Sequence, residues 1–173
     1  MRRGELPPLT WADICDEDGY ISIHREQISV KANGSGKGDG FRIVGHTKTY
    51  KDRRFPITSY VRDCLDRIKS VHDRRYPDSQ FLFPADTAEG CITNNVVYLH
   101  YRRVCDNLGI KTDSGVIKGT HSFRRNAITH VMNSPGGGAT MASQLYGNTP
   151  EVTEANYYAG LDLKAACRVL EST

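Results

Sequence analysis

Tyr157 offers a phenolic oxygen, and His121, Arg124, Arg125, Arg2 and Lys48 offer an imidazole and four cations that could surround a charged reactant. A tyrosine alone says little, because nine are present and most tyrosines pack a ring and satisfy one hydroxyl. The run His121-Ser122-Phe123-Arg124 says more, since it sets an imidazole and a guanidinium at i and i+3, neighbours on one helix face. A phenolic oxygen attacking a phosphodiester needs two kinds of help. The charge on the non-bridging oxygens must be held, best by rigid bidentate guanidinium groups, and the departing 5′ oxygen needs a proton. Arginines, a histidine and a lysine supply both. Taken alone, His121 and Arg124 read more readily as a helix-terminal pair making capping or surface contacts.

Such groups must be positioned by secondary structure, which periodicity predicts. Glu5-Leu6-Pro7-Pro8-Leu9 cannot run far as helix, because prolines remove donors and restrict the residues before them, so a helix end is expected there. After the turn signal Asp18-Gly19, alternating and β-branched residues predict a strand over 20–30, and residues 33–40 read as a glycine-rich loop. Phe41-Arg42-Ile43-Val44 and Arg54-Phe55-Pro56-Ile57 complete a three-stranded antiparallel sheet. Val61, Leu65, Ile68 and Val71 recur at helical spacing, as do Val97, Tyr101, Val104 and Leu108, with Thr93 or Asn94 available as a cap. Further helices are predicted over 122–132, 139–145, 150–156 and 163–171, the third with Pro150 suited to a first turn. The fold class is mainly α with a small three-stranded antiparallel sheet near the N-terminus, an α+β domain over residues 1–173.

Composition narrows the classes. The chain has 173 residues with 23 Lys and Arg against 20 Asp and Glu, a net charge of +3, so the length suits one domain. The charge is uneven: residues 42–75 carry 10 basic and 4 acidic side chains, and residues 99–132 carry 6 and 2. If folding brings these segments to one face they form a patch that meets a phosphate backbone; otherwise they are solvated faces. No stretch approaches the roughly 20 apolar residues of a membrane span, and no apolar run follows the N-terminal charges. Five cysteines, an odd number with no C-x-x-C pair, fit neither a disulfide framework nor a zinc site, and read as reduced thiols of a cytoplasmic protein.

The order of the motifs then resembles a known family, the tyrosine recombinases or phage integrases. Arg2-Arg3-Gly4-Glu5-Leu6, followed by Leu9-Thr10-Trp11-Ala12-Asp13-Ile14, is similar to the family's first box, Arg-x-x-Glu-Leu and then Leu-x-Trp-x-Asp-Ile. Thr47-Lys48-Thr49 ahead of Arg53-Arg54-Phe55-Pro56-Ile57 resembles its hairpin lysine before an Arg-Arg-x-x-Pro strand. His121-Ser122-Phe123-Arg124-Arg125 resembles its His-x-Leu-Arg-Arg box, and the run from Gly147-Asn148 to Tyr157-Tyr158 its closing Gly-His…Thr…Tyr segment. Each motif is weak alone; four in the right order cover nearly the whole chain.

The resemblance implies a catalytic domain that cuts and rejoins double-stranded DNA without metal or cofactor. Tyr157 would be the nucleophile, forming a 3′-phosphotyrosyl link; Arg2 and Arg124 would hold the phosphate, Lys48 would protonate the leaving oxygen, and His121 would assist as acid or base. Asn148 stands where the family usually has His or Trp, and can donate a hydrogen bond but not shuttle a proton. Tyr158 is the alternative nucleophile, although Tyr157 keeps the nine-residue spacing from Asn148. Lys51, Arg53, Arg54 and Arg125 are expected on DNA, and the C-terminal helix is expected to pack on a neighbouring subunit in a tetramer. Relative to the family, the N-terminal clamp domain and the start of the catalytic domain are expected to be missing, which predicts a mobile Arg2. Two other activities fit the same residues: a DNA-binding remnant that has lost cleavage, and a type IB topoisomerase-like enzyme.

Overall fold

Capping and turn chemistry account for most element boundaries in the computed structural model, which describes residues 1–30, 40–112, 115, 119–157, 163 and 167. The described chain divides into two compact units, Arg2–Tyr101 and Arg102–Thr173.

The first unit opens with two 3-10 turns, Arg3–Glu5 and Trp11–Asp13, rather than a helix end. Asp13 closes the second turn by accepting from the Thr10 amide at 2.7 Å and the Thr10 hydroxyl at 2.9 Å. Strands β1 (Ile14–Cys15), β2 (Tyr20–Ile23), β3 (Glu26–Val30), β4 (Gly40–Val44) and β5 (Arg53–Pro56) follow. They form two antiparallel ladders. One is a three-stranded sheet in the order β1-β2-β5, and the other pairs β3 with β4. The strand expected over 20–30 is thus two strands broken at His24-Arg25, and the segment at 41–44 belongs to the separate ladder.

In the three-stranded sheet Ile21 lies opposite Phe55, and Ile23 opposite Arg53. Ile21 and Ile23 are buried together with Leu9, Leu65, Leu82 and Cys91. Helix α1 (Ser59–Arg75) supplies Leu65 to this unit, begins at Thr58, whose hydroxyl accepts from the Val61 amide, and ends in a basic turn that suits a helix C-terminus. Gln27 of β3 accepts from the Asn94 amide at 2.7 Å and donates to the Ile92 carbonyl at 3.1 Å, which pins the start of α2 (Asn94–Asn107).

In the second unit, α3 (Thr120–Met132), α4 (Ala139–Tyr146) and α5 (Pro150–Tyr157) follow the rest of α2. Ile128, Ala142 and Tyr146 form its core, with Ala127, Val131, Met132 and Leu145 packed around them. These are i, i+3 and i, i+4 positions of α3 and α4. Helix α4 stops because Gly147 adopts a left-handed conformation (φ 67°), from which its amide and that of Asn148 both reach the Ser143 carbonyl. Thr149 then starts α5, its hydroxyl accepting from the Val152 amide at 3.3 Å, with Pro150 at the first helical position. Of the helix expected over 163–171, Leu163 and Cys167 are helical and exposed; its other residues lie outside the described residues, as do 33–39 of the loop expected over 33–40, whose last residue, Gly40, opens β4. No helix among the described residues is long and apolar enough to cross a membrane.

Candidate active site

Arg2 lies in the first unit, where a buried carboxylate holds it. Glu5, at i+3, is fully buried and accepts from both the Arg2 amide and the Arg2 guanidinium, the latter at 3.1 Å. Its other partner is Arg53, which donates to the same carboxylate from β5. Burial alone would raise the Glu5 carboxyl; the hydrogen bond and charge of Arg53, joined by Arg2, outweigh it and hold the group below its ordinary value. Arg2 is therefore anchored, contrary to the mobility expected of it, and keeps part of its side chain, 18%, open to solvent. The turn that makes this possible requires Gly4, because a Cβ there would stand 2.8 Å from the Gln27 carbonyl oxygen of β3.

Arg53 corrects a second expectation. Predicted to lie on DNA, it is instead buried, because it sits opposite Ile23 on the inward face of the sheet. Arg54, one residue on, points the other way, is exposed, and stacks over Tyr20 at 4.6 Å from the ring centre. Both were expected on DNA, and the register with β2 separates them.

Lys48 and Lys51 are both exposed on the connection from β4 to β5. Lys48 is not on a strand, and because β4 and β5 pair with different partners it is not the tip of a β-hairpin. It occupies a turn over residues 47–50 that is closed by the Tyr50 amide on the Thr47 carbonyl at 2.9 Å.

The second unit places His121, Arg124 and Arg125 on α3, Asn148 between α4 and α5, and Tyr157 as the last residue of α5. His121 and Arg125 are exposed; Arg124 is buried. The Arg124 guanidinium donates to the Tyr146 carbonyl, one of the acceptors that a helix end leaves without an intrahelical partner, and lies 3.4 Å from the Asn148 side-chain oxygen. It also sits over the Tyr146 ring, 5.3 Å from its centre. Burial pushes the Tyr146 phenol up, and Arg124 partly opposes that. Glu151, in the first turn of α5, is held low by its own backbone amide and by Thr149. The structure thus brings together Arg124 and Asn148 within this unit, and Arg2 and Arg53 within the other. Tyr158, the alternative nucleophile, lies outside the described residues.

Two of the groups that hold these arginines have no distinct sequence signal: the Tyr146 carbonyl carries no side-chain signature, and Arg53, buried against Glu5, looks like a surface cation. The one available signal was the Arg-x-x-Glu spacing, which marks Glu5 as an orienting group for Arg2.

Comparison with known proteins follows this geometry. The sequence profile described as the phage integrase family matches residues 1–161. Among curated proteins nothing matches. Among solved structures, the Tn1549 transposon integrase in complex with a circular intermediate DNA aligns with a TM-score of 0.68 at 20% identity, covering 100% of this chain and 55% of that one. XerA recombinase aligns with a TM-score of 0.67 at 20% identity, covering 99% and 52%. The Tn1549 integrase with transposon right end DNA gives a TM-score of 0.68 at 20% identity, covering 99% and 54%. The chain spans about half the length of the structures it matches, and shares their fold.

Proposed function

Because the chain belongs to the phage integrase family, we propose that it acts as a site-specific recombinase, cutting and rejoining double-stranded DNA through a 3′-phosphotyrosyl link to Tyr157. The phenolic oxygen attacks phosphorus, the bond from phosphorus to the 5′ oxygen breaks, and Lys48 gives that oxygen a proton. Arg2 and Arg124 hold the non-bridging oxygens as charge builds, His121 assists as acid or base, and Asn148 donates a hydrogen bond. Attack by a 5′ hydroxyl from another strand releases the tyrosine and restores a phosphodiester. One ester replaces another of similar energy, so the balance needs no nucleotide or metal.

The observation that carries this reading is the preorganised Arg124. A guanidinium buried against the end of α4, with Asn148 beside it, has its reorganisation cost met in folding rather than at the moment of reaction. The two Tn1549 integrase structures contain element-end and circular intermediate DNA. The same class of partner, and a mobile-element role in the cytoplasm, are proposed here. Lys51, Arg54 and Arg125, all exposed, are assigned to backbone contacts. Self-association through residues 161–173 is proposed as the route to a tetramer.

The test is a nicked duplex built from the DNA flanking the gene, so that cleavage frees a short strand and traps the covalent adduct. The chain should give an adduct on a denaturing gel, Tyr157→Phe none, and Tyr158→Phe an undiminished amount. An adduct from Tyr157→Phe refutes the assignment. Asn148 favours one other reading, a DNA-binding relative without cleavage; salt-sensitive binding with no adduct from any nicked substrate would select it.

A further inference from the structure

The turn that carries Lys48 is held by more contacts than a surface connection needs. Thr47 is fully buried, and its hydroxyl donates to the Lys51 carbonyl at 3.0 Å while its own carbonyl accepts from the Tyr50 amide. Across the same turn the His46 and Tyr50 rings stack, with centres 4.1 Å apart and planes 19° from parallel. His46 also meets the Thr47 carbonyl through Nδ1 at 3.2 Å. Tyr50 is the one non-glycine residue among those described with a positive φ, at 53°. A bulky residue in the left-handed region is unfavourable and persists only where its surroundings hold it. Around Tyr50 the backbone is tied by the hydrogen bond from its amide to the Thr47 carbonyl, and its largely exposed side chain leans on the His46 ring.

We propose that the His46–Tyr50 ring stack is a positioning device that fixes the 47–50 turn and thereby presents the Lys48 ammonium to the leaving oxygen. The inference rests on the reading of Lys48 as proton donor. A lysine carries four rotatable side-chain bonds, so delivering a proton to one oxygen depends on a fixed backbone beneath it. Thr47 anchors one side of the turn in the core, and the stacked rings brace the other. Neither ring needs to touch the reacting atoms.

Leaving-group chemistry separates this role from a merely structural one. Replacing the bridging 5′ oxygen by sulfur gives a thiolate that departs without being protonated, so any defect in proton delivery disappears on that substrate. Adduct formation would be timed on the nicked duplex with either bridging atom. His46→Ala and Tyr50→Gly should slow the oxygen substrate by about tenfold or more, a part of the ~10²–10⁴ that general acid catalysis supplies. Both should run at the unsubstituted chain's rate on the sulfur substrate. Tyr50→Gly accepts the positive φ, so the loss would report the ring, and Tyr50→Phe should be normal on both substrates. Rates unchanged on oxygen, or equally slow on oxygen and sulfur, overturn the proposal. Lys48→Ala is the separate arm: if sulfur fails to rescue it, the proton-donor assignment itself falls and this inference with it. If sulfur rescues Lys48→Ala but not the ring variants, only the inference falls. The stack also has a readout that needs no cleavage, because the Tyr50 ring current shifts the His46 ring protons. Tyr50→Gly should move those resonances in a proton spectrum, and unchanged resonances overturn the proposal.

Discussion

Replacing Glu5 by glutamine removes one charge from the centre of the Arg2–Glu5–Arg53 cluster and keeps its shape. Glu5 is fully buried and the Arg53 side chain is 5% exposed, so the variant leaves a guanidinium in the interior without its counter-charge. Breaking a buried pair by removing one partner typically costs about 3–5 kcal/mol. With a urea dependence of about 1–3 kcal/mol per molar for a small protein, the midpoint should fall by at least about 1 M. The reference is Glu5→Leu with Arg53→Met, which removes both charges together and should recover most of the loss. Acid supplies an independent check. A carboxyl whose folded pKa lies below its ordinary value binds protons more readily in the unfolded chain. Its contribution is therefore present above about pH 4.5 and is lost as pH falls through the lowered folded value. The native chain should lose stability on acidification in that window, and the loss should be shallower in Glu5→Gln. A glutamine variant within about 1 kcal/mol of the native chain, with an unchanged acid limb, would refute the reasoning, since an exposed pair gives that result.

Three other substitutions follow from the same geometry. Arg124→Lys keeps the charge but loses the planar, rigid guanidinium whose Nη2 meets both the Tyr146 carbonyl and the Asn148 side-chain oxygen; adduct formation should drop by about 10²-fold in the nicked-duplex assay, and a drop under threefold would count against a preorganised guanidinium. Gly4→Ala forces a Cβ against the Gln27 carbonyl at 2.8 Å and should cost about 1–3 kcal/mol in urea unfolding, with a neutral result showing that the turn can shift without penalty. Gly147→Ala must hold a left-handed backbone at φ 67°, which should cost about 1–2 kcal/mol and displace Asn148; its adduct yield should fall along with its melting temperature.

The helices were readable because their signals are local. Pro150 suits a first turn, and the spacing of Val61, Leu65 and Ile68 marks a face, so α1, α3, α4 and α5 lie within a few residues of expectation. The sheet was less legible because strand pairing is decided by partners distant in sequence. Nothing in residues 20–30 says that the chain turns at His24-Arg25 and pairs with β5 on one side and β4 on the other. That pairing decides that Arg53 faces inward and Arg54 outward. For the candidate site, residue types and order pointed to the chemistry, while the contacts came from the structure: Glu5 between two arginines, a helix-end carbonyl for Arg124, and a His46–Tyr50 ring stack across the turn that carries Lys48. A backbone carbonyl and a buried arginine have no distinctive letter in a sequence.

The two deeply buried thiols offer a use unrelated to DNA. Cys91 belongs to the unit Arg2–Tyr101 and Cys105 to Arg102–Thr173, at 0% and 1% exposure. Burial pushes the Cys91 thiol up to about 11, so in the native state it is protonated as well as shielded, whereas Cys167 is exposed. An alkylating reagent should modify Cys167 at once and reach the other two only when the surrounding structure opens. Timed mass spectrometry of the unmutated chain would then give an opening rate for each half, revealing whether the halves breathe in concert or one at a time.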